Sequence, residues 1–422
     1  MKTLLKSVKI IDKTSYFHLK RVDVLIENRK IIAIHDNIVS GNISNITIDN
    51  DTQTIDCQTF SLSTGWIDMC ASSGESGNEH KETLASLCNA AAAGGFTDVL
   101  ILPNTNPIVQ TKESVKFVKS QSQNQVTLHP IAALSINTSG EEMTDFLDLH
   151  HAGAVAFSDG LLSITNTSML KKSLLYLQHI AGLLINKPDD KYLTKYGLMH
   201  EGDVSASLGF KGMPSIAEEL GISQTLKLVA YTGGKIHFSN ISTAESVQLI
   251  REAKAQGLSV SCDIAASQLS FLDADLWDFD TNLKVKPPFR TEYDRQALLE
   301  GLADDTIDCI VSAHVPCDED SKLLEFDMAD FGIISLQTAF AAIRTATEKI
   351  LPIEKLIEKF TTNPQKILQF ATSKIAAGEK ARLTLFDENS EFILQEKDIL
   401  SLSKNTPLIN KVLKGKVIQI FN

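Results

Sequence analysis

Both ends of the chain carry short apolar runs separated by polar turns, a pattern that is typical of β-hairpins. Val24–Ile26 leads into the polar stretch Glu27–Lys30, and Ile31–Ile34 follows it. Three comparable runs lie near the carboxyl end, namely Ala381–Asp387, Phe392–Leu394 and Lys416–Ile420. We expect strands from the two ends to pair into one small β-sandwich.

The middle of the chain alternates strand-like and helical segments instead. Its short apolar runs are Trp66–Met69, Asp98–Leu102, Val126–Ala133, Ala154–Phe157, Leu183–Ile185, Lys235–Phe238, Ser259–Asp263 and Asp308–Ser312. Its helical segments include Glu82–Ala93, Ser215–Tyr231, Ala244–Gln256, Asp294–Leu302 and Ser335–Ile350. This alternation predicts an α/β fold with a TIM-type (β/α)₈ barrel. We assign residues 61–375 to the barrel and residues 1–60 with 376–422 to the sandwich.

Length and charge narrow the classes of function. A chain of 422 residues is long enough for a barrel and a second, smaller domain. Its net charge of −12 argues against nucleic acid or an anionic membrane as a partner. No apolar run approaches the roughly 18 residues that cross a bilayer, and the first residues lack the pattern of a signal peptide. The six scattered cysteines therefore predict reduced thiols in a cytoplasmic protein.

Two motifs carry a family resemblance. The apolar run in Gly65–Ser72 ends in Ile-Asp-Met, and Pro103–Pro107 follows the next strand-like run. Together they resemble the dihydroorotase family of the amidohydrolase superfamily, whose members close carbamoyl aspartate to dihydroorotate in pyrimidine synthesis. Further matching segments are Ala91–Thr97, Gly153–Asp159, Ser242–Ser246, Pro287–Arg290, Phe331–Ile333 and Asn405–Pro407. The resemblance covers nearly the whole chain and implies the barrel fold.

The same resemblance implies a zinc site, but this chain has lost most of its ligands. The family has His-x-His after the first barrel strand, and the corresponding residues here are Cys70 and Ser72. The histidines that follow the fifth and sixth strands correspond to Asn186 and Asn240. The aspartate that accepts the proton after the eighth strand corresponds to Ala313. Asp159 remains at the position that follows the fourth strand.

Residues that the family uses to bind its substrate have changed as well. The family's arginine corresponds to Gly74, and the asparagine before the double proline corresponds to Lys286. Asn and Ser oxygens are poor zinc ligands, and loss of even one member of a coupled catalytic group costs orders of magnitude in rate. The sequence therefore predicts a degenerate dihydroorotase, a pseudoenzyme without a metal cofactor.

Some polar residues of the expected pocket remain, and each has two interpretations. Cys70, His314 and Cys317, together with Asp159, either form a substitute metal site or simply line the pocket. Asn104 either retains a ligand-binding role or belongs to a rigid Asn- and Pro-rich loop. Arg290 either meets an anion or pairs with a local carboxylate.

Three functions from different classes fit these observations. The first is a non-catalytic partner of aspartate carbamoyltransferase, because inactive members of the resembled family assemble with that enzyme. The second is an amidohydrolase with an altered active site that acts on a related ureide or imide. The third is a ligand-binding sensor that keeps the pocket without turnover. For all three we expect a homo-oligomer.

Overall fold

The computed structural model describes residues 2–36, 38, 51–123 and 125–422. Its strands are β1 (Lys2–Ile10), β2 (Arg21–Glu27), β3 (Lys30–His35), β4 (Gln53–Asp56), β5 (Ser61–Thr64), β6 (Trp66–Ala71), β7 (Phe96–Ile101), β8 (Thr127–Ala132), β9 (Ala156–Phe157), β10 (Leu184–Asn186), β11 (Met199–His200), β12 (Gly212–Met213), β13 (Ile236–Phe238), β14 (Val260–Ala265), β15 (Cys309–Val311), β16 (Leu383–Ile393) and β17 (Val412–Phe421).

Its α-helices are α1 (Leu84–Ala93), α2 (Lys112–Ser120), α3 (Phe146–Ala152), α4 (Thr167–Gln178), α5 (Asp203–Leu208), α6 (Ile216–Thr232), α7 (Ala244–Ala255), α8 (Glu292–Ala303), α9 (Glu319–Lys322), α10 (Ala339–Thr347), α11 (Ile353–Phe360) and α12 (Thr362–Ile367). No helix within the described residues is long and apolar enough to cross a membrane.

Strands from the two chain ends form one seven-stranded sheet, in the order β17-β16-β5-β1-β2-β3 with β4 beside β1. The two ends meet where β16 pairs antiparallel with β5, so that Leu385 lies opposite Leu62. Both leucines are fully buried in the core of this sheet. Burial of each side chain contributes about 1.5–3 kcal/mol. The predicted pairing of the two ends is thus confirmed, and the sheet forms a β-rich terminal domain.

The change from the terminal sheet to the barrel falls at Gly65. Ser61–Thr64 pairs within the terminal sheet, whereas Trp66 opens the first barrel strand. A side chain on Gly65 would collide with Thr97, since the nearest atom of Thr97 would lie 2.2 Å from an added Cβ. Glycine therefore lets the chain turn close to the second barrel strand. The division into domains at residues 60 and 375 stays a prediction.

The predicted (β/α)₈ barrel is confirmed. Eight parallel strands lie in the order β15-β14-β13-β10-β9-β8-β7-β6, and each overlaps one of the predicted apolar runs. Between the last and the first strand the backbone pairing is sparse, with one bridge from Ala71 to His314. Asp68 strengthens this seam because its carboxylate accepts hydrogen bonds from the backbone N–H and hydroxyl of Ser312, at 2.6 and 2.7 Å.

Helix α7 begins and ends at residues typical of helix caps. Thr243 caps α7, and its hydroxyl accepts a hydrogen bond from the N–H of Ser246. Gly257 follows the end of this helix with a φ of +79°, a conformation that costs glycine little. The buried face of α7 includes Val247 and Ile250. Such helices cover the barrel and leave its carboxyl-terminal rim to the loops, where barrel enzymes place their sites.

Candidate functional site

A cavity of about 170 Å³ opens at the carboxyl-terminal rim of the barrel. Loops that follow the fourth to eighth barrel strands supply its wall. The lining residues are Leu161, Lys187, Asn240, Ala265, Ser267, Gln268, Val285, Lys286, Pro287, Ala313, Val315, Phe331, Gly332 and Ile333. Two of the predicted site residues, Asn240 and Ala313, belong to this wall.

The structure brings Asn240 and Cys70 into contact beside the cavity. The side-chain amide of Asn240 donates a hydrogen bond to the sulfur of Cys70 at 3.4 Å. Asn240 has a φ of +56°, which asparagine tolerates better than most residues. Its backbone N–H donates to Asp263 at 2.6 Å, and this bond fixes the turn after β13. An amide and a thiol thus contact each other at two positions where the resembled family has metal-binding histidines.

The other two substituted ligand positions are buried and uncharged. Asn186 accepts a hydrogen bond from the N–H of Ile164 at 3.3 Å, so its side chain holds the loop after β9. The hydroxyl of Ser72 is buried without a hydrogen-bond partner among the described residues. Its backbone N–H donates to the carbonyl of His314 at 2.8 Å and extends the seam between β6 and β15.

Asp159 and Asn104 are engaged with each other and with the neighbouring loop. The backbone N–H and hydroxyl of Ser135 donate to the Asp159 carboxylate at 2.8 and 2.5 Å. Burial raises the pKa of Asp159, although these bonds from Ser135 oppose the shift. The side chain of Asn104 donates to the carbonyl of Asp159 and accepts from the N–H of Leu161. Asn104 therefore joins its own loop to the loop that follows β9, and its role in ligand binding stays a prediction.

His314 and Cys317 are directed away from Cys70. The Nδ1 atom of His314 accepts hydrogen bonds from the backbone N–H groups of Ser335 and Leu336, and its Nε2 atom lies 3.4 Å from the carboxylate of Glu82. The sulfur of Cys317 faces the carbonyl of Phe331 at 3.6 Å. Although His314 and Cys317 lie in the same loop, their side chains contact different groups.

Glu82 is a buried acid that the sequence analysis did not single out. It is fully buried, and its carboxylate accepts hydrogen bonds from the hydroxyls of Ser86 and Ser401 and from the N–H of Leu402. Burial by itself raises the pKa of a carboxyl group, but bonds and charge from His314, Ser401 and Ser86 outweigh it and lower the pKa of Glu82. This network attaches the segment before β17 to the barrel.

Arg290 meets a local carboxylate, which is one of its two predicted alternatives. Its guanidinium lies 3.8 Å from Glu218 and donates to the hydroxyl of Ser242 at 3.0 Å. It also donates to the Nδ1 atom of His200 at 3.1 Å. Burial, and then the charge of Arg290, lower the pKa of His200 to about 4, so this histidine stays neutral and accepts the bond. Arg290 is thus engaged with several groups inside the protein.

Two aspartates inside barrel strands were also missed as site residues. Asp263 on β14 accepts hydrogen bonds from His237 at 2.8 Å and from the hydroxyl of Ser239 at 3.2 Å. Asp68 on β6 bonds to Ser312, and burial raises its pKa to about 6. The signal was present in the sequence, since a carboxylate within an apolar strand must find buried partners.

The residues that are present do not fit a zinc centre. Within the described part of the chain, no group of three or more His, Cys, Asp and Glu side chains is placed to hold a metal ion. Burial, followed by the charges of Asp263 and Asp68, raises the pKa of Cys70 to about 12. Its thiol therefore stays protonated at neutral pH, and zinc binds the thiolate. The geometry does not support the substitute metal site that was one interpretation of Cys70 and its neighbours.

Lys187 is a charged residue of the cavity wall that the sequence analysis did not single out. It directly follows β10 and is buried, and its ammonium donates to the carbonyl of Lys286 at 2.6 Å. Burial, and then the neighbouring Lys286, lower the pKa of Lys187 to about 8. Lys286 itself forms an ion pair with Asp189 at 2.7 Å. Among the residues that the structure describes, no carboxylate contacts the ammonium of Lys187 directly, unlike that of Lys286.

Comparison with known proteins agrees with this architecture. Residues 61–246 match the family model described as dihydro-orotase-like. The curated dihydroorotase of Syntrophus aciditrophicus is 34% identical over 421 residues, which cover 99% of this chain and 97% of that protein. The dihydroorotase of Caldanaerobacter subterraneus subsp. tengcongensis is 36% identical over 395 residues, covering 93% of this chain and 91% of the relative.

Among solved structures, the L-hydantoinase of Arthrobacter aurescens superimposes with a TM-score of 0.83 at 19% identity, over 99% of this chain and 94% of that one. The dihydropyrimidinase of Brevibacillus agri gives 0.81 at 17% identity, over 100% and 93% of the two chains. These likenesses show the shared fold. Sequence identity of 34–36% over nearly the whole length of the curated relatives shows that the chain belongs to the dihydroorotase family of the amidohydrolase superfamily.

Proposed function

We propose that this chain is a dihydroorotase-like protein of pyrimidine biosynthesis that lacks dihydroorotase activity and acts as a structural partner of aspartate carbamoyltransferase. The set of side chains at the substituted ligand positions carries the first part of the proposal. Cys70, Ser72, Asn186, Asn240 and Ala313 offer a protonated thiol, a hydroxyl, two amides and a methyl group. This set supplies neither the imidazoles that bind zinc nor a carboxylate that accepts a proton.

The acids that remain near the barrel mouth do not replace the lost groups. Asp159 is held by Ser135, Asp68 by Ser312 and Glu82 by the segment around Ser401. A general base must reach the reacting proton within hydrogen-bond distance, directly or through one water. These carboxylates already accept two or more internal hydrogen bonds, which stabilise their present positions. The arrangement favours a structural use of each acid.

A turnover assay tests the loss of activity. The purified chain is incubated with dihydroorotate and added zinc, and the dihydroorotase of Caldanaerobacter subterraneus subsp. tengcongensis serves as the active control. We expect a rate at least about 10⁴-fold below the control, because removal of coupled catalytic groups costs several orders of magnitude. A rate within about tenfold of the control, a gap of only about 1.4 kcal/mol in barrier, would end this part of the proposal.

The second part, the partnership, rests on the family resemblance and on what the chain has kept. Inactive members of the resembled family assemble with aspartate carbamoyltransferase. This chain matches its curated relatives over almost their entire length even though its ligand positions have changed. A structural role requires the whole barrel but does not require metal ligands or a catalytic acid. We include a homo-oligomeric state and a cytoplasmic location in the proposal.

Co-migration tests the partnership. The chain and aspartate carbamoyltransferase from the same organism are mixed at micromolar concentration and analysed by size exclusion with light scattering. We expect one species with a mass above that of either protein alone. The chain run by itself serves as the control and also gives its own oligomeric state. Independent migration of the two proteins at this concentration would contradict the partnership and leave the turnover result unaffected.

The alternative of an amidohydrolase with altered chemistry gains no support from Cys70. A nucleophilic cysteine needs a lowered pKa and access to a substrate. Burial raises the pKa of Cys70 to about 12, and the side chain is only 3% exposed. The hydrogen bond from Asn240 does not overcome the burial. The burial and raised pKa of Cys70 thus favour a non-catalytic chain over an amidohydrolase with altered chemistry.

A further inference from the structure

Helix α6, with 17 residues the longest helix that the structure describes, has apolar side chains on its outward face as well as on its buried one. Ile216, Leu220 and Tyr231 lie along the outward face and are 52, 48 and 77% exposed. A surface helix usually turns charged and polar side chains towards water. The neighbouring helix α7 does so, since it exposes Glu245 and Glu252. The apolar outward face of α6 therefore indicates a surface that contacts another molecule.

Helix α4 lies beside α6 and widens this surface. The side chain of Gln178 at the end of α4 donates to the carbonyl of Thr232 at the end of α6, at 3.1 Å, and Leu175 of α4 is exposed. A helix of 17 residues is about 25 Å long and packed helices lie about 10 Å apart, so the pair presents a face of about 25 by 20 Å. Two such faces bury about 1,000 Å², which reaches the lower limit for a specific interface. We call this surface the α4–α6 face.

Two opposite charges on α6 lie at matched distances from its middle. Glu219 precedes Ser223 by four residues, and Lys227 follows Ser223 by four. Neither charged residue forms an ion pair with another residue that the structure describes. They lie about 12 Å apart along the helix, whereas side chains pair within a helix at spacings of three or four residues. Charges arranged symmetrically about one residue suit a two-fold axis at that residue, because such an axis repeats every contact.

Glu219 lies in acidic surroundings within its own chain. Partial burial, followed by the charges of Glu245 and Glu218, raises the pKa of Glu219, although the charge of Arg290 opposes the shift. A cation that approaches Glu219 from outside the chain is therefore favourable. In a second copy of the chain, Lys227 offers such a cation.

We propose that the α4–α6 face is a homodimer interface, in which the α6 helices of two copies of this chain pack antiparallel about a two-fold axis near Ser223. This arrangement places Ile216 of one copy against Tyr231 of the other. It also places Glu219 of each copy beside Lys227 of the other, so that two ion pairs form. The inference rests on the homo-oligomeric state included in the proposed function and assigns a surface to it. It depends neither on turnover nor on aspartate carbamoyltransferase.

Sedimentation velocity of the purified chain tests the interface through charge reversals. We expect the wild type to be a dimer at about 10 μM. Glu219→Lys brings lysines together at both ion pairs and Lys227→Glu brings glutamates together, so each should weaken dimerisation at least about tenfold. Glu252→Lys makes the same change of charge on the exposed face of α7 and serves as the matched control, with an expected effect below about threefold. Thermal midpoints verify that all variants are folded.

A mixture of the two reversed variants distinguishes a lost ion pair from a damaged fold. In a mixed dimer, one copy has lysine at both positions and the other has glutamate at both, so both contacts between the copies are attractive again. We expect the mixed dimer to form with an affinity within about threefold of the wild type. Failure of the mixture to associate would contradict the pairing of Glu219 with Lys227.

Two further outcomes would overturn the interface. The first is a wild-type chain that stays monomeric at about 50 μM, and the second is a dimer that neither reversal weakens. If the chain alone is monomeric but Glu219→Lys abolishes co-migration with aspartate carbamoyltransferase, the face binds that protein and the homodimer is excluded. A wild-type dimer that does not co-migrate with aspartate carbamoyltransferase would contradict the partnership alone.

Discussion

The two sides of the barrel mouth treat their buried polar groups differently. On the side formed by the first, fourth and eighth strands, three buried carboxylates accept hydrogen bonds inside the protein. These pairs are Asp68 with Ser312, Asp159 with Ser135 and Glu82 with Ser401. On the side formed by the fifth to seventh strands, Lys187 has one acceptor, and two amide oxygens accept nothing from the described residues. We call these the paired side and the unpaired side.

The difference lies in where the buried polar groups of each side find their partners. A buried charge needs a partner, because an unpaired one destabilises the fold. On the paired side, internal hydrogen bonds provide that partner and join loops to strands. On the unpaired side, Lys187 and the two amide oxygens have few or no such partners among the described residues. Each prediction below tests one of these two statements.

The largest expected effect is on the paired side, at Glu82. Glu82→Ala removes the carboxylate that lies 3.4 Å from Nε2 of His314 and that accepts hydrogen bonds from the hydroxyl of Ser401 and the N–H of Leu402. A buried donor that loses its acceptor costs about 1–3 kcal/mol, and with more than one donor affected we expect a loss of about 3–5 kcal/mol in the free energy of unfolding. Urea denaturation measures it.

The exposed Glu141→Ala serves as the control for Glu82, because surface substitutions stay within about 0.5 kcal/mol. A loss for Glu82→Ala no greater than that of the control would mean that the network around Glu82 adds nothing to stability. The hydrogen bonds of Glu82 would then be present in the structure but would not stabilise the fold.

The next effect concerns the unpaired side and depends on pH. Burial, then Lys286, lower the pKa of Lys187 from 10.5 to about 8, with Cys70, Asp189 and Glu218 opposing. Between these two pH values the unfolded chain keeps a proton that the folded chain has released. Stability of the wild type relative to Lys187→Met therefore rises with pH across this window, by up to about 3 kcal/mol.

Urea denaturation of both proteins at several values from pH 7 to pH 10.5 measures this difference. Other groups titrate in both proteins, so their contributions cancel in the comparison. Below about pH 8 the variant should be the more stable of the two, since it buries no charge. If the free energies of unfolding of the two proteins change in parallel with pH, the pKa of Lys187 is not lowered by folding. Lys187 would then have further hydrogen-bond partners, and the unpaired side would no longer differ from the paired side at this residue.

The sequence predicted the framework of this site better than its contacts. The apolar runs of the eight barrel strands are local signals, and each run lies on a strand. Asn240 and Ala313, which the family motifs had singled out, lie in the wall of the cavity, and their role stays a prediction. Which way a side chain points there depends on loops that meet from distant parts of the chain. For this reason the contact of His314 with Glu82, more than 200 residues away, had no sequence signal.

Lys187 illustrates the same limit on the other side. A lysine directly before Pro188 is expected at a surface, since lysines are rarely buried without a partner. Only the folded chain shows that the carbonyl of Lys286 closes over its ammonium. Arg290 gives the intermediate case, because the sequence allowed an anion or a local carboxylate, and the structure selected Glu218.

A smaller effect is expected at the seam of the paired side. Ser312→Ala removes the hydroxyl donor of Asp68 and leaves that carboxylate with the backbone N–H alone. Hydrogen bonds to charged groups contribute about 1.5–3 kcal/mol, so we expect a loss of about 2 kcal/mol, measured by urea denaturation at pH 7. Below the pKa of Asp68, which is about 6, the loss should shrink, because the protonated carboxyl group needs fewer donors. An unchanged unfolding midpoint at pH 7 would argue that Asp68 does not hold the seam.

The smallest effect separates Ser72 from Ser312, although both serines lie at the same seam. The hydroxyl of Ser72 is buried and has no partner among the described residues, while its backbone N–H, which the substitution keeps, bonds to His314. Ser72→Ala therefore removes an unsatisfied polar group and loses little packing, so the free energy of unfolding should stay within about 1 kcal/mol of the wild type and rise rather than fall. The same urea titration that measures Ser312→Ala measures this variant. A loss comparable to that of Ser312→Ala would mean that the hydroxyl of Ser72 has a hydrogen bond of its own, and the paired side would then include this residue.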